Sequence, residues 1–131
     1  MNEPKKLIDT PSQTAGPFLH IGCTPRITGI NIFKSELGLT PFQDISDNEA
    51  INIKGKIYDG NDEPIIDAMI ETWQCDANGN YSSNQGFARI VTDFKTGEYQ
   101  LKTIRPGNKI NTNGSLYASY ITFWIVARGM N

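Results

Sequence analysis

The sequence predicts an all-β fold, an antiparallel β-sandwich with an irregular N-terminal arm. Three observations lead to this prediction: short segments alternate apolar and polar residues, turns rich in Gly, Asn and Asp separate them, and no amphipathic helical pattern lies between them. A parallel sheet would need such helices to connect its strands. The 131 residues have room for one domain, so we assign residues 1–27 to the arm and 28–131 to the sandwich.

The N-terminal part of the chain lacks a regular pattern. Residues 1–27 mix Pro, Gly, Thr and Ser with few apolar residues, without helical or strand periodicity, so an extended arm is predicted. A short apolar run at residues 30–33 precedes a looser stretch to about residue 48, in which Gly38 and Pro41 favour a loop or a fragment of helix.

The strand signal begins at Ala50, from which apolar and polar residues alternate to Tyr58. Turn residues at 59–64 and 76–80 end the first two strands, Arg105-Pro106-Gly107 breaks a later one, and a polar loop is predicted from there to Ser115. The predicted strands after the first are residues 65–74, 87–92, 98–103 and 117–127.

The final predicted strand is apolar on both faces, a pattern typical of a central, covered strand. The chain continues only four residues beyond Ala127, which leaves no later strand to pair with it. An unpaired apolar edge is an aggregation hazard that natural domains avoid. The sequence therefore predicts a C-terminally truncated chain from which the closing strands are missing.

Charge and composition exclude several classes of function. The net charge is −2 without a Lys/Arg cluster, which argues against nucleic acid and anionic membranes as partners. No stretch is apolar and long enough to span a bilayer or to serve as an export signal, so a cytoplasmic location is expected. Cys23 and Cys75 are too far apart and too few for a structural zinc site, and free buried thiols are predicted.

Two segments of the chain are specific enough to indicate a family: the arm, with Thr-Pro-Ser-Gln-Thr-x-Gly-Pro at residues 10–17, and Glu-Thr-Trp-Gln at residues 71–74. Together with shorter matches elsewhere, they resemble the intradiol ring-cleaving dioxygenases, and most nearly the alpha-type chains of protocatechuate 3,4-dioxygenases. A generic sandwich has no reason to carry both. The arm resemblance extends to residue 22, and the other matching segments are residues 55–60, Pro64, Asp67-Ala68, residues 76–79, Tyr81, and residues 86–89, 97–99, 103–107 and 127–131.

The resemblance implies a test for iron. Members of the family hold Fe(III) with two tyrosines and two histidines, hard ligands that suit this ion. Tyr81 matches the first tyrosine, whereas Lys109 stands at the second and Tyr120 and Thr122 stand at the histidine positions. His20 is the only histidine and lies in the arm, at a position that is not an iron ligand in the family. No metal site is therefore expected on this chain, and Tyr81 is interpreted as structural.

The replaced ligands are what the resemblance implies for an alpha-type chain. Fe(III) then belongs to a partner beta chain in a hetero-oligomer, which cleaves protocatechuate with O₂ between its hydroxyl groups to give 3-carboxy-cis,cis-muconate. The resemblance places Thr14, Gly16 and Pro17 along the partner's substrate pocket and Arg128 near the substrate carboxylate or the pocket wall. The simpler alternatives are a turn cap for Thr14 and a solvated arginine for Arg128.

Other side chains have simpler interpretations. Trp73 and Trp124 are expected to be core or interface anchors, while Asp67 and Glu71 are expected to be solvated or locally bonded rather than a hydrolytic pair. Two alternative functions stay open: a non-catalytic β-sandwich that binds a small molecule or protein, and an inactive truncated fragment. Arm substitutions that impair turnover more than folding would favour the enzyme subunit.

Overall fold

The computed structural model of the chain describes residue 11, residues 13–35 and residues 38–130. Alternating side chains produce the strands, because one face of each is buried while the other contacts water. The elements are α1 (Leu19–Cys23), β1 (Ala50–Lys56), β2 (Met69–Trp73), β3 (Phe87–Val91), β4 (Glu98–Ile104), β5 (Lys109–Ile110), β6 (Leu116–Tyr117) and β7 (Thr122–Val126).

All strand pairs among the described elements are antiparallel, as predicted. Strand β1 pairs with β4, while β2 lies between β3 and β7 in a second sheet, and β5 and β6 form a separate hairpin. The apolar core lies between the two larger sheets: Ile70 of β2 and Ala88 and Ile90 of β3 pack with Leu101 of β4. This arrangement confirms the predicted antiparallel sandwich.

A buried glutamine links the two sheets. Gln74, directly after β2, is 1% exposed and donates to the carbonyl of Ile104 at 3.0 Å, while its Oε1 accepts the hydroxyl of Thr103 at 2.7 Å. Because Thr103 and Ile104 belong to β4, these bonds tie the end of one sheet to the other. A buried amide is tolerated in a core only when its polar atoms are bonded in this way.

Several element predictions were wrong in detail. The arm contains the five-residue helix α1, which is too short to produce a visible period. Residues 65–68 are not part of β2, and the last strand begins at Thr122 rather than at residue 117. The predicted polar loop includes strand β5, which pairs Lys109 with Tyr117 and Ile110 with Leu116. A two-residue strand is below the length at which alternation can be recognised.

Strand β7 lies at the edge of its sheet among the described residues, in contrast to its central-strand pattern. Phe123 on its inner face packs against the core cluster. On the opposite face Trp124 is 43% exposed although Val126 is buried, and Ile125, on the same face as Phe123, is 36% exposed. The described residues therefore leave part of both apolar faces of β7 uncovered.

In the described part of the chain, no helix has the length and apolarity needed to cross a membrane. Both cysteines are free thiols, with Cys75 buried and Cys23 half-buried, which confirms the prediction for Cys75 and only partly for Cys23.

Candidate functional site

The arm folds back onto the turn that follows β7. The hydroxyl of Thr14 donates to the carbonyl oxygen of Gly129 and accepts the backbone N–H of Gly16 at 3.2 Å. Gly16 has a φ of +84°, a conformation that glycine adopts without steric cost. Pro17 follows it and is exposed, while residues 10 and 12 of the arm motif lie outside the described residues. The structure therefore brings Thr14 and Gly16 next to the turn that carries Arg128.

Arg128 occupies a tight turn between two hydrogen-bonded residues. The backbone N–H of Met130 donates to the carbonyl of Ala127, and the N–H of Ala127 donates to the carbonyl of Met130, both at 2.9 Å. Arg128 and Gly129 have φ values of +50° and +89°, the pattern of a two-residue hairpin turn with both central residues left-handed. The Arg128 side chain is 53% exposed, and its Nε lies 3.5 Å from Asp67 Oδ1.

Asp67 and Glu71 each lie beside an arginine, and Glu71 is hydrogen-bonded to its neighbour as predicted. Glu71 Oε1 accepts two hydrogen bonds from Arg89, at 2.7 Å from Nε and 2.5 Å from Nη2. Arg89 Nη1 also donates to the carbonyl of Cys23 at 3.4 Å, which fixes the end of α1 on this sheet. Asp67 faces Arg128 instead, so the two acids have different partners and form no hydrolytic pair.

A second cluster joins the positions that the resemblance assigns to metal ligands. The phenol of Tyr81 donates to that of Tyr120 at 3.1 Å, and the Lys109 ammonium lies 4.9 Å from the centre of the Tyr81 ring. Trp73 stacks on the ring of Tyr81, with the two ring centroids 5.8 Å apart and an interplanar angle of 18°. Thr122 is paired with Trp73 across β2 and β7. The four positions therefore lie together in space.

This donor set does not fit Fe(III). The two phenols bond each other, and the Lys109 ammonium stabilises the Tyr81 ring by a cation–π contact. An ammonium has no lone pair to give a metal and repels a cation. Among the described residues no group of three or more His, Cys, Asp or Glu side chains is arranged to hold a metal ion.

The contact with Tyr120 raises the pKa of Tyr81 to about 12 from an ordinary 10.0, and burial and the charges of Tyr120 and Cys75 act in the same direction. Ionisation would remove the proton that Tyr81 donates, so the neutral phenol is favoured. Because the pKa of Tyr81 is higher in the folded than in the unfolded chain, its hydrogen bond to Tyr120 contributes fully to folding stability below pH 10. That contribution is lost as the pH approaches 12.

Replacing Tyr120 with phenylalanine should return the pKa of Tyr81 towards 10, because the acceptor is lost while the ring remains. The measurement is an ultraviolet titration of phenolate, with Tyr81→Phe used to assign the signal. Tyr117→Phe, at an exposed position in β6, is the control and should leave the pKa of the Tyr81 step unchanged. An unchanged Tyr81 signal in Tyr120→Phe would contradict the contact.

Two other residues singled out in the sequence lie away from both clusters. His20 lies in α1 and is half-buried, and its backbone carbonyl accepts the N–H and the hydroxyl of Thr24 at 2.8 and 2.5 Å. Trp124 lies on the outer face of its sheet, whereas Trp73 is held by the Tyr81 stack. Neither tryptophan is part of the buried core.

Comparison with known proteins assigns the chain to a family. A family model described as a dioxygenase matches residues 34–123, which is most of the sandwich. The chain belongs to the intradiol dioxygenase family. The protocatechuate 3,4-dioxygenase alpha chain of Pseudomonas putida is 36% identical over 132 residues, covering 95% of this chain and 66% of the relative. The protein of the same description from Burkholderia cepacia is 31% identical over 111 residues, covering 77% and 56%. The chain thus spans less than two thirds of the length of either curated relative.

Solved intradiol structures share the fold. Catechol 1,2-dioxygenase from Pseudomonas arvilla C-1 superposes with a TM-score of 0.59 at 18% identity, covering 67% of this chain and 35% of that chain. The 3-chlorocatechol 1,2-dioxygenase of Rhodococcus opacus 1CP gives a TM-score of 0.59 at 24% identity, covering 69% and 44%. At these sequence identities the structural similarity shows that the chain shares the β-sandwich fold, and fold similarity alone does not determine the reaction.

Proposed function

We propose that this chain is the alpha subunit of a protocatechuate 3,4-dioxygenase and completes the active site of an iron-bearing beta chain. The observation that carries the proposal is the Tyr81 cluster, in which Lys109 and Tyr120 stand where the family's iron ligands are expected. A family member that has lost its own ligand set but resembles alpha chains over most of its length needs a partner for catalysis.

The arm and the turn after β7 form the surface that this chain contributes. The hydroxyl of Thr14 is hydrogen-bonded to both Gly16 and Gly129, so the arm and the turn that carries Arg128 form one continuous surface. Gly16 allows close backbone approach to a ligand and Pro17 stiffens the arm. The Arg128 guanidinium is half exposed and matches the planar carboxylate of an aromatic acid. These residues bind and orient the substrate and exclude water from it.

Fe(III) on the partner would supply the chemistry, which is addition of both atoms of O₂ across the bond between the hydroxylated ring carbons. The expected product is 3-carboxy-cis,cis-muconate. Among the described residues, the acids beside Arg128 and Arg89 form ion pairs with these arginines. The division of roles predicts a hetero-oligomer in which the iron content follows the beta chain.

Co-expression with an affinity-tagged beta chain from the same source tests this assignment. We expect the chain to co-purify with its partner, and we expect iron in the complex and in the isolated beta chain but not in this chain purified alone. Failure to co-purify would contradict the subunit assignment. Iron retained by this chain alone, with the visible absorption of a tyrosinate bound to Fe(III), would contradict the division of roles.

A further inference from the structure

The backbone of Arg128 is unusual for a residue with a long side chain. Two-residue hairpin turns with positive φ at both positions favour Asn-Gly, Asp-Gly or Gly-Gly, yet here Arg128 occupies the first position with a φ of +50°. Side chains are strained in this region, and such residues persist where the surroundings hold them. The position therefore requires an explanation from its contacts.

Asp67 makes one of these contacts, and its backbone adjoins a buried, hydrogen-bonded residue. The next residue, Ala68, is fully buried and donates its backbone N–H to Thr92 Oγ1 at 3.0 Å. Asp67 Oδ1 is buried and has no hydrogen-bond partner among the described residues, although Arg128 Nε is 3.5 Å away. A buried acceptor in a loose ion pair is costly unless it has a role, because most such groups are hydrogen-bonded.

Thr14 holds the same turn from the arm side. Its hydroxyl donates to the carbonyl of Gly129, and a Cβ at Gly129 would lie 3.0 Å from that hydroxyl oxygen. The turn is thus fixed through its backbone by Thr14 and through the Arg128 side chain by Asp67. Within the described ranges the terminal amino groups of Arg128 make no hydrogen bond, and the guanidinium also attracts the carboxylate of Asp59 electrostatically, so a ligand carboxylate can bind the terminal amino groups.

We propose that Asp67 is a positioning residue, which holds Nε of Arg128 so that the terminal amino groups face the carboxylate of a small aromatic acid. The inference rests on the proposed function and deepens it by assigning the residue that orients Arg128. The alternative effect of Asp67 is electrostatic: a carboxylate beside Arg128 lowers its attraction for an anionic substrate. The two effects have opposite signs in Asp67→Asn, because lost positioning raises the Michaelis constant and lost negative charge lowers it.

The test measures oxygen uptake by the complex of this chain with its iron-bearing partner. For Asp67→Asn we expect the Michaelis constant for protocatechuate to rise about tenfold, with kcat within about twofold of the wild type. The inhibition constant of catechol, which lacks the carboxylate, should stay unchanged. Asp67→Glu should recover part of the loss. The matched control is Asp47→Asn, which removes an exposed ion pair with Lys102 and should change neither constant.

The outcomes separate this inference from the function on which it rests. An unchanged or lower Michaelis constant for protocatechuate, or an equal rise for catechol, overturns the positioning role while the subunit assignment stands. If Asp67→Asn does not assemble, Asp67→Glu decides, because it keeps the charge but displaces the carboxylate by one methylene; a Michaelis constant for protocatechuate equal to that of the wild type then overturns the positioning role. If the wild-type complex does not turn over protocatechuate, the proposed function is contradicted, and this inference falls with it.

Discussion

Replacing Gly86 with alanine is expected to lower the free energy of unfolding by roughly 2–5 kcal/mol. Gly86 precedes β3 with a φ of +92°, and a Cβ there would lie 2.2 Å from the carbonyl oxygen of Gln74. That oxygen belongs to backbone and cannot move aside as a flexible side chain would. The same two residues are joined by a hydrogen bond from the Gln74 N–H to the Gly86 carbonyl at 3.0 Å, so relief of the clash also weakens this bond.

Gly60→Ala is the matched control for this substitution. It lies in the turn after β1, where an added Cβ meets nothing within 4 Å and φ is outside the left-handed region. We expect its stability to stay within about 0.5 kcal/mol of the wild type. Thermal and denaturant unfolding of the purified chains, followed by circular dichroism, give the comparison. Equal midpoints for the two variants would show that the contact around Gly86 is wrong.

Replacing Gly16 with alanine is expected to lower kcat/KM of the complex for protocatechuate by about five- to thirtyfold. An added Cβ would meet nothing within 4 Å, so the cost arises from the φ of +84° rather than from a clash. An L-residue in this conformation is disfavoured by about 1–2 kcal/mol, which shifts the arm away from its position beside Gly129. Thr14 and Gly16 contribute nothing to the buried core, so the loss in folding stability should be smaller than the loss in activity.

Gly22→Ala is the control that separates the effect of the left-handed backbone at Gly16 from the effect of adding a methyl group to the arm. This glycine also lies in the arm with open space around its added Cβ, but its φ is not left-handed. The substitution should leave oxygen uptake and its dependence on protocatechuate unchanged. If Gly16→Ala behaves like Gly22→Ala, or loses stability and activity to the same extent, the arm does not line the partner's pocket.

The sequence was sufficient to predict the sandwich because its strands alternate in the period of two that one buried face imposes. Strands β1, β3 and β4 were predicted to within about one or two residues for this reason. The errors lie where no such pattern exists. Helix α1 is a single turn, and the hairpin of β5 and β6 exposes Ile110 and Leu116, so neither has a buried face to mark it in the sequence.

The candidate site was predicted in part. The resemblance selected Tyr81, Lys109 and Tyr120 as former ligand positions, and the structure places them in contact. Convergence of the ligands on one ion made that contact foreseeable, since replaced ligands remain neighbours. The pairing of Asp67 with Arg128 was not foreseeable, because 61 positions separate them in the sequence and a left-handed turn sets the direction of the arginine.

Titration of this chain into a fixed amount of the iron-bearing beta chain, with oxygen uptake on protocatechuate as the readout, tests whether the chain completes its partner's active site. We expect uptake to rise with added chain and to saturate when every beta chain has a partner, and we expect none from this chain alone. Uptake that is independent of the added chain, or uptake by this chain without its partner, would contradict the claim that it completes a site whose iron is held elsewhere.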